Sequence, residues 1–163
     1  MVGPATGLAA EVIEALKARG STVALAESCT GGLVAKLLTD PPGASAVFVG
    51  GVVAYSNSVK TGILGVAPET LAAHGAVSAE TAREMATGAR TRLGADLALS
   101  ITGIAGPTGG TPTKPVGTVW IGTATAEGAE ARLFEFSGDR RAIREQAAAA
   151  ALSLLAQLLA EQS

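Results

Sequence analysis

Apolar positions along the chain alternate between two periods, and the alternation predicts the elements. Leu8, Val12, Ile13 and Leu16 share one helical face and Gly20 is a stop, which predicts a helix over about 5–19. The run from Thr22 to Ala26 reads as a strand, broken by Glu27-Ser28-Cys29-Thr30-Gly31-Gly32. Helical spacing resumes at Leu33, Val34, Leu37 and Leu38 and ends before Asp40-Pro41-Pro42-Gly43, a strong turn signal. Val47 to Tyr55 reads as a second strand, where Gly50-Gly51 marks a bulge or a close backbone approach. Ser56-Asn57-Ser58 caps a short helix reaching Leu64, and Pro68 to His74 forms another with proline at an early position.

Ser78 caps a longer helix with Glu80 in its first turn and a stripe of Ala82, Met85, Ala86, Ala89 and Leu93. Residues 95–101 give a third strand, 102–115 a glycine- and proline-rich loop, and 117–126 and 129–136 a strand pair joined as a hairpin. Asp139 then caps a long Ala- and Leu-rich helix. Helices alternate with strands until one late hairpin. That order predicts an α/β fold, a three-layer α/β/α sandwich around a mixed, mostly parallel sheet of about five strands. No repeat or linker interrupts it, and 163 residues suit one domain over 1–163.

Composition adds two constraints. Apolar residues make up 48% of the chain but aromatics only 3%, so the core is built from small and branched side chains in closely packed layers. A formal charge of −2, with Lys and Arg dispersed, gives no electrostatic footprint for direct nucleic-acid binding. No apolar run suggests a membrane span and the N-terminus lacks the order of a signal peptide, so a cytoplasmic protein is expected. The single cysteine excludes an internal disulfide and a cysteine-based zinc cluster.

Four polar segments follow strands: Glu27 to Gly32, Tyr55 to Lys60, Ser100 to Gly110, and Gly138 to Arg144. In open α/β sheets such loops gather at the ligand crevice. The first is a strand–turn–helix junction whose helix N-terminus favours an anion. Neither the dinucleotide fingerprint nor the P-loop occurs, although the glycine-rich loop could cradle phosphate through its N–H groups. Ser28 and Cys29 are the candidate nucleophiles. His74 has no acidic partner at hand in the sequence, so it makes no triad; Lys60, beside Tyr55, is the best-placed base. Glu27 could cap the helix, orient a ligand hydroxyl or polarise Ser28. Arg140, Arg141 and Arg144 crowd the start of the last helix, where the dipole disfavours cations, which hints at an external anion. Residue by residue, this is a pocket for a small anionic ligand with a serine, a lysine and a tyrosine; no reaction is named by it.

Taken together, the segments Ala-Glu-Ser-Cys-Thr-Gly-Gly (26–32), Gly-Val-Val-Ala-Tyr-Ser-Asn (51–57), His-Gly-Ala-Val-Ser (74–78), Ser-Ile-Thr-Gly-Ile-Ala-Gly-Pro (100–107), Lys-Pro-Val-Gly-Thr-Val-Trp (114–120) and Ser-Gly-Asp-Arg (137–140) resemble the CinA C-terminal domain family over essentially the whole chain. The resemblance implies nicotinamide-nucleotide amidohydrolase activity, converting nicotinamide mononucleotide (NMN) and water to nicotinic acid mononucleotide and ammonia. It implies no metal or organic cofactor, a three-layer fold, and a homo-oligomer, with a dimer favoured. It makes Ser28 the nucleophile, with Tyr55 and Lys60 activating it. Ser45 and Thr102 match further active-site positions, and a substrate arginine corresponds to Arg140, Arg141 or Arg144, of which Arg144 is preferred for the substrate anion. With the local chemistry, the expected substrate-binding set is Glu27, Thr30, Gly31, Gly32, Ser45, Thr102, Gly103, Gly106, Arg140 and Arg144, with backbone N–H groups near Gly31 or Gly103 as oxyanion donors. Direct attack by water, thiol chemistry at Cys29 and a non-catalytic nucleotide-binding or partner-docking domain are the alternatives.

Overall fold

A computed structural model describes residues 4–162. The elements in chain order are α1 (Pro4–Arg19), β1 (Val23–Glu27), α2 (Leu33–Thr39), β2 (Phe48–Val53), α3 (Asn57–Gly62), α4 (Pro68–His74), α5 (Ala79–Leu93), β3 (Leu97–Gly103), β4 (Thr118–Thr125), β5 (Gly128–Glu135) and α6 (Arg140–Glu161). A single 3-10 turn, Ala44–Ala46, precedes β2 and was not signalled by the pattern. The strands form one sheet in the order β2-β1-β3-β4-β5. β1 pairs in parallel with β2 and β3, whereas β4 is antiparallel to both β3 and β5. Four strands therefore point one way and only β4 is reversed, giving the expected mixed sheet.

Side chains of a strand alternate between faces, and here the alternation sorts them by size. Val23, Leu25, Leu97, Leu99, Ile101, Val119 and Ile121 pack with α1, α2 and α6. The intervening Ala24, Ala26, Ala98 and Ala124 pack with Leu64, Val66 and the α5 stripe of Met85, Ala86 and Ala89. The α5 face is correspondingly thin. A Cβ on Gly122 would meet the Ala82 carbonyl, and one on Gly88 the Leu64 carbonyl, so both glycines let backbone approach backbone.

Topology places the functional end. From β1 the chain passes through α2 to β2 on one side; from β2 it passes through α3, α4 and α5 to β3 on the other. The direction of winding reverses around β1, and such switch points open a crevice beyond the carboxyl ends of the strands. β1, β2 and β3 are parallel, so the segments after them meet there, and β5 runs the same way and delivers the start of α6.

Candidate active site

The turn after β1 is held from three sides. The Ser28 N–H donates to the Ile101 carbonyl at 2.9 Å, continuing the β1–β3 ladder by one bond. Gly31 and Gly32 have φ of +60° and +106°, conformations that a side chain would strain, and they turn the chain into α2. Arg144, one turn into α6, donates from Nε to the Cys29 carbonyl at 3.0 Å and from Nη2 to the Thr30 carbonyl at 2.9 Å. Its fork thus clamps the turn instead of standing free at the mouth for a ligand. The Thr30 hydroxyl is fully buried and has no partner among the described residues.

Glu27 settles the question of what sits at the α2 N-terminus. Its carboxylate, 1% exposed, accepts from the N–H of Val34 at 2.9 Å and of Ala35 at 3.0 Å. The expected anion site at this helix end is filled by the chain's own carboxylate, a charge-assisted cap reaching over seven residues. Glu27 therefore faces α2; it does not line the cleft, and an external anion has no unpaired helix donors to claim there.

Lys60 supplies the reactive contact. Ser56 caps α3 by accepting from the Val59 N–H, and one turn of helix then carries the Lys60 side chain inward. It is 1% exposed, and its Nζ lies 3.0 Å from Ser28 Oγ, 2.8 Å from the Ala54 carbonyl and 3.1 Å from the Tyr55 carbonyl. No ion pair within 4.0 Å joins it to a described carboxylate. Burial holds its pKa below the ordinary 10.5 because the charged form loses its hydration. A neutral amine has two N–H bonds and one lone pair. In that neutral form the two carbonyls, which can only accept, would take the N–H bonds and leave the lone pair for the Ser28 hydroxyl.

Around this pair lies a cavity of about 210 Å³, lined among others by Tyr55, Asn57, Ala76, Thr102, Gly103 and Arg140. The Thr102 hydroxyl donates to the Ala76 carbonyl at 2.8 Å and so pins the 75–78 wall; Lys114 Nζ holds the His74 carbonyl from outside at 2.6 Å. Ile104 exchanges hydrogen bonds with the Thr118 carbonyl and the Gly117 N–H on the β4 side. By the alternation of an antiparallel ladder, Gly103 then turns its N–H away from β4, toward the end of β1. A Cβ at Gly103 would meet Val119 and the Thr118 carbonyl at 2.6 and 2.8 Å, so this close crossing requires glycine. Arg140 donates to the Gly106 carbonyl at 2.7 Å and to the Tyr55 hydroxyl at 2.9 Å, bridging α6, the glycine-rich loop and the segment after β2. The Tyr55 ring is 59% exposed and its hydroxyl is directed to Arg140; its contact with Lys60 is made through the main chain.

The structure therefore brings together Ser28, Tyr55, Lys60, Thr102, Gly103 and Arg140, with Gly106 at the edge through its carbonyl. It places Glu27, Thr30, Gly31, Gly32 and Arg144 in the scaffold of the turn. Ser45 lies in the 3-10 turn before β2, beside Pro41, Pro42 and Phe48, at the opposite end of the parallel strands from Ser28. Arg141 is exposed and paired with Glu145 at 2.9 Å. Cys29 is buried and its thiol is pushed up to about 11, chiefly by that burial, which leaves the neutral thiol rather than a thiolate near neutral pH. Asn57 and the Ala76–Val77 wall were not among the expected site residues, although both lie in segments that carry the resemblance. Asn57 had a further legible signal, its position three residues before Lys60 on the same helical face.

Among the described residues no helix is long and apolar enough to cross a membrane, and no group of three His, Cys, Asp or Glu side chains forms a metal-binding cluster. Comparison with known proteins agrees with the fold. The CinA C-terminal domain model matches residues 5–159. The chain is 57% identical over 149 residues to the nicotinamide-nucleotide amidohydrolase PncC of Escherichia coli K12, covering 91% of this chain and 90% of that protein. It is 58% identical over 144 residues to a CinA-like protein of Anaeromyxobacter sp. strain K, of whose length the match spans only 35%. Among solved structures, the competence damage-inducible protein A of Klebsiella pneumoniae superposes with a TM-score of 0.95 at 38% identity, covering 99% of this chain and 100% of that one. The Agrobacterium tumefaciens competence/damage inducible protein CihA superposes with a TM-score of 0.93 at 42% identity over 96% of both chains. On these matches the chain belongs to the CinA C-terminal domain family.

Proposed function

We propose that the protein is a nicotinamide-nucleotide amidohydrolase that deamidates NMN through Ser28. The observation carrying the reading is the 3.0 Å contact between Ser28 Oγ and a buried lysine that has no carboxylate partner among the described residues; the relation to PncC supplies the substrate class. Lys60 accepts the Ser28 proton as Oγ attacks the carboxamide carbon. The Gly103 N–H supports the developing oxyanion, and a donor in that role contributes on the order of 3 kcal/mol. The lysine then returns its proton to the departing nitrogen, which leaves as ammonia; the same amine takes a proton from the water that attacks the acyl-enzyme and passes it to Ser28 Oγ as the ester bond breaks. Tyr55 and Arg140 form the rim, where the guanidinium receives the phosphate. No cofactor enters any step.

Ammonia release from NMN, with free nicotinamide as control, tests the reading. Ser28→Ala is expected to lower turnover by about three orders of magnitude or more, and Lys60→Met by roughly 10²–10⁴-fold, with the fold intact by circular dichroism. Undiminished turnover in Ser28→Ala would defeat the nucleophile assignment and leave direct attack by water.

A further inference from the structure

We infer that Asn57 is the residue that reads the ribose of the nucleotide. The inference rests on the amidohydrolase reading for where the reacting carbonyl sits. Polar side chains lining the cleft are otherwise committed. Ser28 and Lys60 engage each other, Thr102 holds Ala76, and Tyr55 and Arg140 hold each other. Asn57 lines the same cleft, and its side-chain amide makes no hydrogen bond to any described residue; its backbone carbonyl accepts from the Thr61 hydroxyl.

Its place along the cleft follows from helix geometry. Asn57 opens α3 and Lys60 lies three residues on, so both present the same face about 4.5 Å apart along the axis. Ser28 and Lys60 are 8% and 1% exposed and form the floor, while Asn57 and Arg140 are exposed and form the rim. With the carboxamide at the floor and the phosphate at Arg140, the sugar passes beside α3. An amide both donates and accepts, as does a hydroxyl, and among the described residues no carboxylate lines the cleft to take that part.

The test measures binding in the full chain carrying Ser28→Ala, so that turnover does not intrude. Calorimetry compares NMN with its 2′,3′-dideoxyribose analogue, with and without Asn57→Ala. Asn57→Ala is expected to weaken NMN by about three- to tenfold, the loss of one neutral hydrogen bond, and to leave the dideoxy analogue unchanged. Equal weakening of both ligands, or none for NMN, overturns the assignment. Absence of ammonia release by the unmodified protein would refute the catalytic reading while the binding comparison still decides the ribose contact. Failure of either nucleotide to bind overturns both.

Discussion

Replacing Lys60 by methionine gives a prediction whose size and sign follow from the site. The amine donates to the Ala54 and Tyr55 carbonyls. Methionine fills similar space without donors, so above pH 10.5, where lysine is neutral folded or unfolded, Lys60→Met is less stable by about 2 kcal/mol, roughly 1 for each lost bond. As the pH falls below 10.5 the unfolded lysine takes up a proton that the buried one refuses. Wild-type stability then declines by up to about 1.4 kcal/mol per pH unit until the pH reaches the depressed folded pKa; below that, both states are protonated and the deficit stays constant. The methionine variant has no such slope. Urea unfolding at intervals from pH 6 to 10.5 should show the two stabilities converging as the medium is made more acidic. Parallel curves would mean that the amine stays charged in the fold, and the account of Lys60 as a base would fall with them. The kcat/KM profile carries the same signature, losing activity on the acid side with a midpoint below 10.5.

Other substitutions probe the scaffold. Arg144→Lys should fail to replace the forked clamp on Cys29 and Thr30, lowering kcat at least tenfold, because a single ammonium cannot reproduce two fixed bonds; wild-type kcat in that variant would show that the turn holds itself. Cys29→Ser should keep turnover within a few-fold, and the native thiol should resist Ellman's reagent at pH 8, since burial keeps it protonated; rapid labelling of the folded protein would contradict this. Gly88→Ala should lower stability by about 1–3 kcal/mol through the clash with the Leu64 carbonyl, read as a reduced urea midpoint with m unchanged.

Periodicity and caps are local signals, and what they encode was legible. Ser56, Ser78 and Asp139 each cap the helix that follows, and Pro68 to His74 is helical over its expected length. Strand order is not local, and nothing in the residues of β1 says that it lies between β2 and β3. The site divides the same way. Ser28, Lys60 and Arg140 follow strand ends and Thr102 lies in the last residues of β3, and the crevice rule gathers them. Glu27 was ambiguous because a carboxylate before a helix can point forward to cap it or sideways to a ligand, and only the path of the turn decides. Arg144 and Arg140 stand one helical turn apart, and that turn separates an arginine holding the loop from one at the rim. Ser45 precedes its strand instead of following it, which places it at the far end of the sheet.

The thin contact of α5 with the sheet has a dynamic consequence. Where helix and strand backbones nearly touch at Gly122, no cushion of side chains remains to slide, so α5 and the Ala76–Val77 wall tethered at its head move as one piece with the floor that bears Ser28. Breathing of the crevice is left to the opposite lip, where the Tyr55 ring and the Arg140 guanidinium stand in solvent. The hydrogen bond from Arg140 to the Tyr55 hydroxyl is what ties that lip together.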